Sequence, residues 1–110
     1  MPIRNGSNYL EDALQSVLQQ KHPVEEILIV NDGSTDETPK LLERLESTIP
    51  QVHILNGPER GPGPARNVAI QAARGNIIAF IDADDLWPAD KLELQIGRLN
   101  AEPAVNVVSG

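Results

Sequence analysis

Helical and strand patterns alternate along almost the whole of this 110-residue chain, and that alternation restricts its fold more than any other feature. Leu10, Leu14, Val17 and Leu18 recur at helical spacing after the capping candidates Ser7 and Asn8, and Pro23 forbids continuation. Residues 25–32, EEILIVND, read as a strand whose unbroken apolar run suits burial on both faces. Thr35 or Asp36 then caps a helix with Pro39 in its first turn and a Leu41, Leu42, Leu45 and Ile49 stripe. QVHILN, residues 51–56, is a second and weaker strand. GPERGPGP, residues 57–64, holds three Gly and three Pro and reads as a loop. ARNVAIQAAR, 65–74, reads as an Ala-rich helix stopped by Gly75. NIIAFID, 76–82, is the third strand. PADKLELQIGRLN, 88–100, is a helix with Leu92, Ile96 and Leu99 inward, and AVNVVSG, 104–110, is a final strand.

Such an order implies right-handed crossovers and a mainly parallel α/β sheet with helices on both faces. Ligands of such sheets gather beyond the carboxyl ends of the strands. Asn31 to Ser34, NGPERG at 56–61 and Asp82 to Asp85 all fall at those ends, so the three loops are expected to share one edge. The length suits one domain, with roughly two-thirds of the unfolded surface buried. A formal net charge of -7 with no Lys/Arg cluster argues against nucleic acid as a partner. The chain has no cysteine, which removes disulfides and thiolate metal sites and is compatible with a reducing compartment. No apolar stretch approaches the ~20 residues that span a bilayer, and no signal-peptide core is present. A cytoplasmic location is expected, with peripheral attachment to the inner face of a membrane left open.

The acids of "DADD" are the least ordinary feature. Asp82 and Asp84 could approach within about 4 Å, where repulsion runs from ~1 kcal/mol in water to ~4 kcal/mol near a protein surface. Water, backbone N–H groups or a cation could each relieve that. Asp85 can serve the following helix N-terminus, which favours an anion by ~0.3–1 kcal/mol. Capping does not readily account for three acids. D-x-D on an extended segment points Asp82 and Asp84 to one side. Two hard oxygen ligands plus substrate phosphates is a common way to hold Mg²⁺ or Mn²⁺. Asp32 precedes the turn glycine instead of occupying the cap, so its carboxylate is free to accept N–H donors from a ligand such as a nucleobase. Arg66, just inside a helix N-terminus, suits the dipole poorly and an anion or base edge well. His22 and His53 read as surface or turn residues. Trp87 reads as packing under the last helix, with sugar or base stacking as the alternative.

NGSNYLEDALQSVLQQ, EEILIVNDGSTDET, GPGPARNVAIQAARGNIIAFIDADDLW and P-x-D-K-L-E, in that order, resemble the nucleotide-binding half of family 2 glycosyltransferases of GT-A fold. The resemblance covers nearly the whole chain. It implies a Rossmann-like three-layer α/β/α fold over residues 1–110, forming the donor-binding part of a larger GT-A domain. It also implies inverting transfer of a sugar from a nucleoside-diphosphate donor, with uridine as the usual nucleoside, to a glycan or lipid-linked acceptor. Mg²⁺ or Mn²⁺ would assist, and polysaccharide or cell-envelope glycan synthesis would be the setting. By position, Asp32 resembles the carboxylate that reads the base and Arg66 an arginine near it. Asp82 resembles the ribose-contacting acid that also borders the metal, and Asp84 the acid that holds the metal on the diphosphate. Asp85 matches the next position of that motif. Pro2, Arg4 and Asn5 match the strand end bordering the base, and Arg4 stands where the family often carries an aromatic residue.

Two departures shape the expectation. The family carries most of a strand before the point where MPIRN begins, and four residues reach at most ~14 Å. A truncated first strand, and self-association through exposed sheet edges, are therefore expected. The family's general base lies in a later, acceptor-binding half, so no catalytic base is assigned here. Two other readings compete. A receiver-like or phosphatase-like Mg²⁺ domain would carry its acids after the first strand, unlike this chain. A non-catalytic module of the same fold would use the acidic edge for protein contacts.

Overall fold

The computed structural model describes residues 1–75, 78–101 and 107–109, and for residues 98–101 and 107–109 the backbone alone. Asn76 and Ile77 of the expected third strand, residues 104–106 and Gly110 of the last, and the Leu99 side chain lie outside the described residues. The order is β1 (Pro2–Ile3), α1 (Leu10–Leu18), β2 (Ile27–Asn31), α2 (Thr38–Thr48), β3 (Val52–Asn56), α3 (Pro62–Ala72), β4 (Ile78–Phe80), α4 (Lys91–Ala101) and β5 (Val107–Ser109). Every described strand pair is parallel, as the alternation requires. β2 lies between β1 and β3, with Ile3 opposite Asn31 and Asn31 opposite Asn56. Among the described strands β4 pairs with β5 as a second sheet. β1 is two residues long, and Asn5 at φ 53 turns the chain out of it.

One core lies under the sheet. Leu10 and Leu14 of α1, Leu42 of α2 and Ile29 of β2 are fully buried together, and Trp87 and Leu92 join the same cluster. Trp87 thus packs beneath α4, as one of its two readings had it. Val30 and Ala65 are equally buried but outside that cluster. Alternate strand residues face opposite sides, so Val30 points to a second layer, where α3 rests on β2. Both faces of β2 are therefore covered, which is why its sequence is apolar without alternation.

Helix starts differ from expectation. α1 is preceded by Tyr9 with no side-chain cap, because the Ser7 hydroxyl donates instead to Asp36, 3.2 Å away. The residue before α2 is Glu37, yet Asp36 still accepts the Thr38 N–H at 2.8 Å and satisfies one orphan amide. α3 begins at Pro62, inside the expected loop, since proline in a first turn gives up an N–H that had no partner anyway. α4 begins at Lys91 and not at Pro88, because Ser16 of α1 and the residues just after that helix hold the approach to α4. Ser16 Oγ accepts the Trp87 N–H at 3.1 Å, and Lys21 N–H donates to the Ala89 carbonyl at 2.8 Å. Gln20, 7% exposed, donates Nε2 to the Ser16 and Pro88 carbonyls at 3.0 and 2.6 Å and accepts the Leu92 N–H at 3.0 Å. It caps α4 from the far side of the core.

Removing that side chain would leave a buried N–H and a buried carbonyl to find new partners, at ~1–3 kcal/mol per group. Gln20→Ala is expected to lower stability by about 2–3 kcal/mol in urea unfolding. A loss below half a kcal/mol would show the network to be dispensable.

Candidate functional site

Parallel pairing brings the ends of β1, β2 and β3 to one rim. Asn31 O accepts the Gly57 N–H and Ile3 O accepts the Asp32 N–H, each at 2.9 Å. Beside that rim opens a cleft of about 370 Å³. Pro2, Ile3 and Arg4 line it from β1 and its end, Asp32 from just past β2, Gly61 and Pro62 from the start of α3, and Asp82, Ala83 and Asp84 from the segment after β4. Residues from all three segments singled out in the sequence line this one cleft.

Asp32 is 6% exposed, and both of its carboxylate oxygens are engaged. Oδ1 accepts the Glu59 N–H at 2.6 Å, and Oδ2 accepts the Gly61 N–H at 3.2 Å. Asp82 to Asp85 fold into a turn closed by the Asp85 N–H on the Asp82 carbonyl at 3.0 Å. That turn gathers one carboxylate oxygen from each of Asp82, Asp84 and Asp85 within 4.8 Å of one another. The Asp85 N-cap reading fails, since α4 starts more than a turn later at Lys91. Arg66 does not line the cleft; its Nη2 donates to Asp82 Oδ1 at 2.6 Å from the second turn of α3. With side chains 37% and 51% exposed, that pair orients more than it stabilises. Asp82 keeps its second oxygen available.

Asn5 does not line the cleft either. Its Oδ1 accepts the backbone N–H groups of Thr35 and Asp36 at 2.7 and 3.2 Å, and its own N–H donates to Ser34 Oγ at 3.1 Å. It ties the exit of β1 to the β2–α2 loop. Tyr9, 42% exposed, lines the cleft and was not singled out from the sequence. Its standing as the only tyrosine was the available signal. Glu59, Gly61 and Pro62 lie in the loop already expected at this edge, but no individual role was assigned to them, because the sequence does not show that Asp32 would receive the Glu59 and Gly61 N–H groups.

The family model described as Glycosyl transferase family 2 matches residues 1–110. The chain belongs to glycosyl transferase family 2. TuaG of Bacillus subtilis (strain 168), whose name places it in teichuronic acid biosynthesis, is 43% identical over 96 residues, covering 86% of this chain and 38% of TuaG. TarS of S. aureus, solved with UDP-GlcNAc, superposes at a TM-score of 0.80 with 28% identity, over 93% of this chain and 30% of that one. The mannosyltransferase PcManGT of Pyrobaculum calidifontis, solved with GDP-Man and Mn²⁺, also gives 0.80, with 33% identity, over 94% of this chain and 32% of that one. These are family 2 relatives and structures of GT-A fold, and this chain spans about a third of their length. Among the described residues no helix is long and apolar enough to cross a membrane.

Hydrogen bonds from Thr38, its hydroxyl first and its N–H second, hold the Asp36 carboxyl below its ordinary pKa of 3.8, and Ser7 adds to this. A lowered carboxyl pKa stabilises the fold above the unfolded value and stops doing so as pH falls through the folded one. Asp36→Asn should therefore flatten the acid side of the stability profile from roughly pH 4 downward. An unchanged slope of urea midpoint against pH would refute the linkage.

Proposed function

We propose that this chain is the donor-binding part of an inverting glycosyltransferase, taking a nucleoside-diphosphate sugar and serving transfer to a glycan or lipid-linked acceptor hydroxyl. The observation that carries this reading is the convergence of Asp32 and the Asp82–Asp84 turn on one cleft at the carboxyl ends of parallel strands. Asp32, with Pro2 and Arg4 beside it, suits the base end. Asp82 suits the ribose, and Arg66 acts on it from outside the cleft. The acid turn fits Mg²⁺ or Mn²⁺: it offers hard carboxylate oxygens within 4.8 Å, and the free oxygens of Asp84 and Asp82 face the same opening. A divalent ion held there would neutralise diphosphate charge. TarS, solved with UDP-GlcNAc, and PcManGT, solved with GDP-Man and Mn²⁺, support the donor class, and the teichuronic acid role in the name of TuaG supports an envelope polymer as product. No residue here is assigned as general base, so the chain alone is expected to bind donor without efficient transfer.

Titration with uridine diphosphate, with and without Mn²⁺, tests the reading. Metal-dependent binding that Asp84→Ala abolishes and Asp32→Ala weakens by about tenfold or more is the expected result. Failure of every nucleoside diphosphate to bind would favour a non-catalytic module that uses the acidic edge for protein contacts. The same reading includes self-association through strand edges, since β4 pairs with β5 and with no other described strand. Light scattering behind size exclusion is expected to give more than one copy, and a strict monomer would count against it.

A further inference from the structure

We infer that Asp32 is a positioning residue: its carboxylate braces the loop between β3 and α3, and that loop builds the base-side wall of the cleft. The nucleotide half of this inference rests on the donor-binding reading, and the loop half does not. Asp32 is buried, and its two oxygens accept from Glu59 N–H at 2.6 Å and Gly61 N–H at 3.2 Å. Hydrogen bonds to a buried carboxylate are among the stronger ones a backbone amide can make. Gly61 and Pro62, the residues at the end of this brace, themselves line the cleft.

The loop conformation is one that the chain would not adopt unaided. Glu59 sits at φ 60, a left-handed conformation uncommon outside glycine, and Gly61 at φ 99. Two neighbouring glycines make room for the arrangement. A Cβ on Gly57 would meet Asp32 Oδ1 at 2.5 Å and Val30 Cγ1 at 3.1 Å. A Cβ on Gly33, itself at φ 80, would meet Glu59 Cγ at 2.8 Å. Loop and carboxylate are therefore shaped to one another on both sides. Asp32 lines the cleft as well, so it can still touch a ligand, but the positions of Gly61 and Pro62 depend on it first.

Amide hydrogen exchange on the nucleotide-free chain separates this from a purely ligand-reading role. In Asp32→Ala the Glu59 and Gly61 amides are expected to exchange faster by roughly tenfold or more, the scale of one lost charge-assisted hydrogen bond. The Ile29 and Val30 amides in β2 should keep their protection, which distinguishes loop release from general unfolding. Gly57→Ala carries the same test with the carboxylate intact: it should release the same two amides and weaken uridine diphosphate binding in Mn²⁺ as Asp32→Ala does. Unchanged exchange at Glu59 and Gly61 in both variants would overturn the inference. So would Gly57→Ala that binds uridine diphosphate like the parent chain while Asp32→Ala does not. If no nucleoside diphosphate binds even the parent, the exchange arm still decides whether Asp32 braces the loop.

Discussion

The carboxyl end of β2 is the joint on which the cleft hangs. At Asn31 and Asp32 the ladder is shared out among three segments: Ile3 O takes the Asp32 N–H, Asn31 O takes the Gly57 N–H, and Asn31 Oδ1 takes the Ser34 N–H. A strand with parallel partners on both edges has little freedom, so the chains leaving its end depart on set vectors. Asp32 then carries the ladder one residue beyond the sheet by replacing a missing strand partner with its own carboxylate. One wall of the cleft is built out from the end of this strand.

Electrostatics decide how the opposite wall is built. The chain carries a formal net charge of -7, and it still sets three carboxylates at one turn. Their exposure keeps the repulsion near the aqueous end of the Coulomb range, and Arg66 at 2.6 Å offsets part of what remains on Asp82. The turn has polarity outward and an apolar anchor inward, since Ala83 is buried between the exposed acids while Ile81 enters the core.

The far end of the same segment is secured differently. Past Asp85 the chain must reach α4 without helical hydrogen bonds of its own, and Ser16 of α1 and Gln20 just after that helix supply the partners. Gln20 is among the few polar side chains buried in the core, and its burial is tolerable because its amide donates twice and accepts once. The acid turn thus lies between a β-strand and a clamp formed by the first helix and the residues that follow it. Its position is a property of the whole layer, not of the local motif.

The sequence by itself determined the element order, the parallel pairing and the apolar faces, because periodicities of 2 and 3.6 record which side of each element meets a core. It also placed Asp32, Asp82 and Asp84 together, since strand ends of one direction share an edge. Asn5, Arg66, Gln20 and the starts of α1, α3 and α4 were settled only by tertiary structure. Each is set by a polar side chain and a partner distant in sequence, as with Gln20 and Leu92, 72 positions apart, or Asp32 and Glu59, 27 apart. A hydrogen bond needs atoms within about 3 Å at a workable angle. No spacing along a chain encodes which far amide will be standing there once the layers have packed.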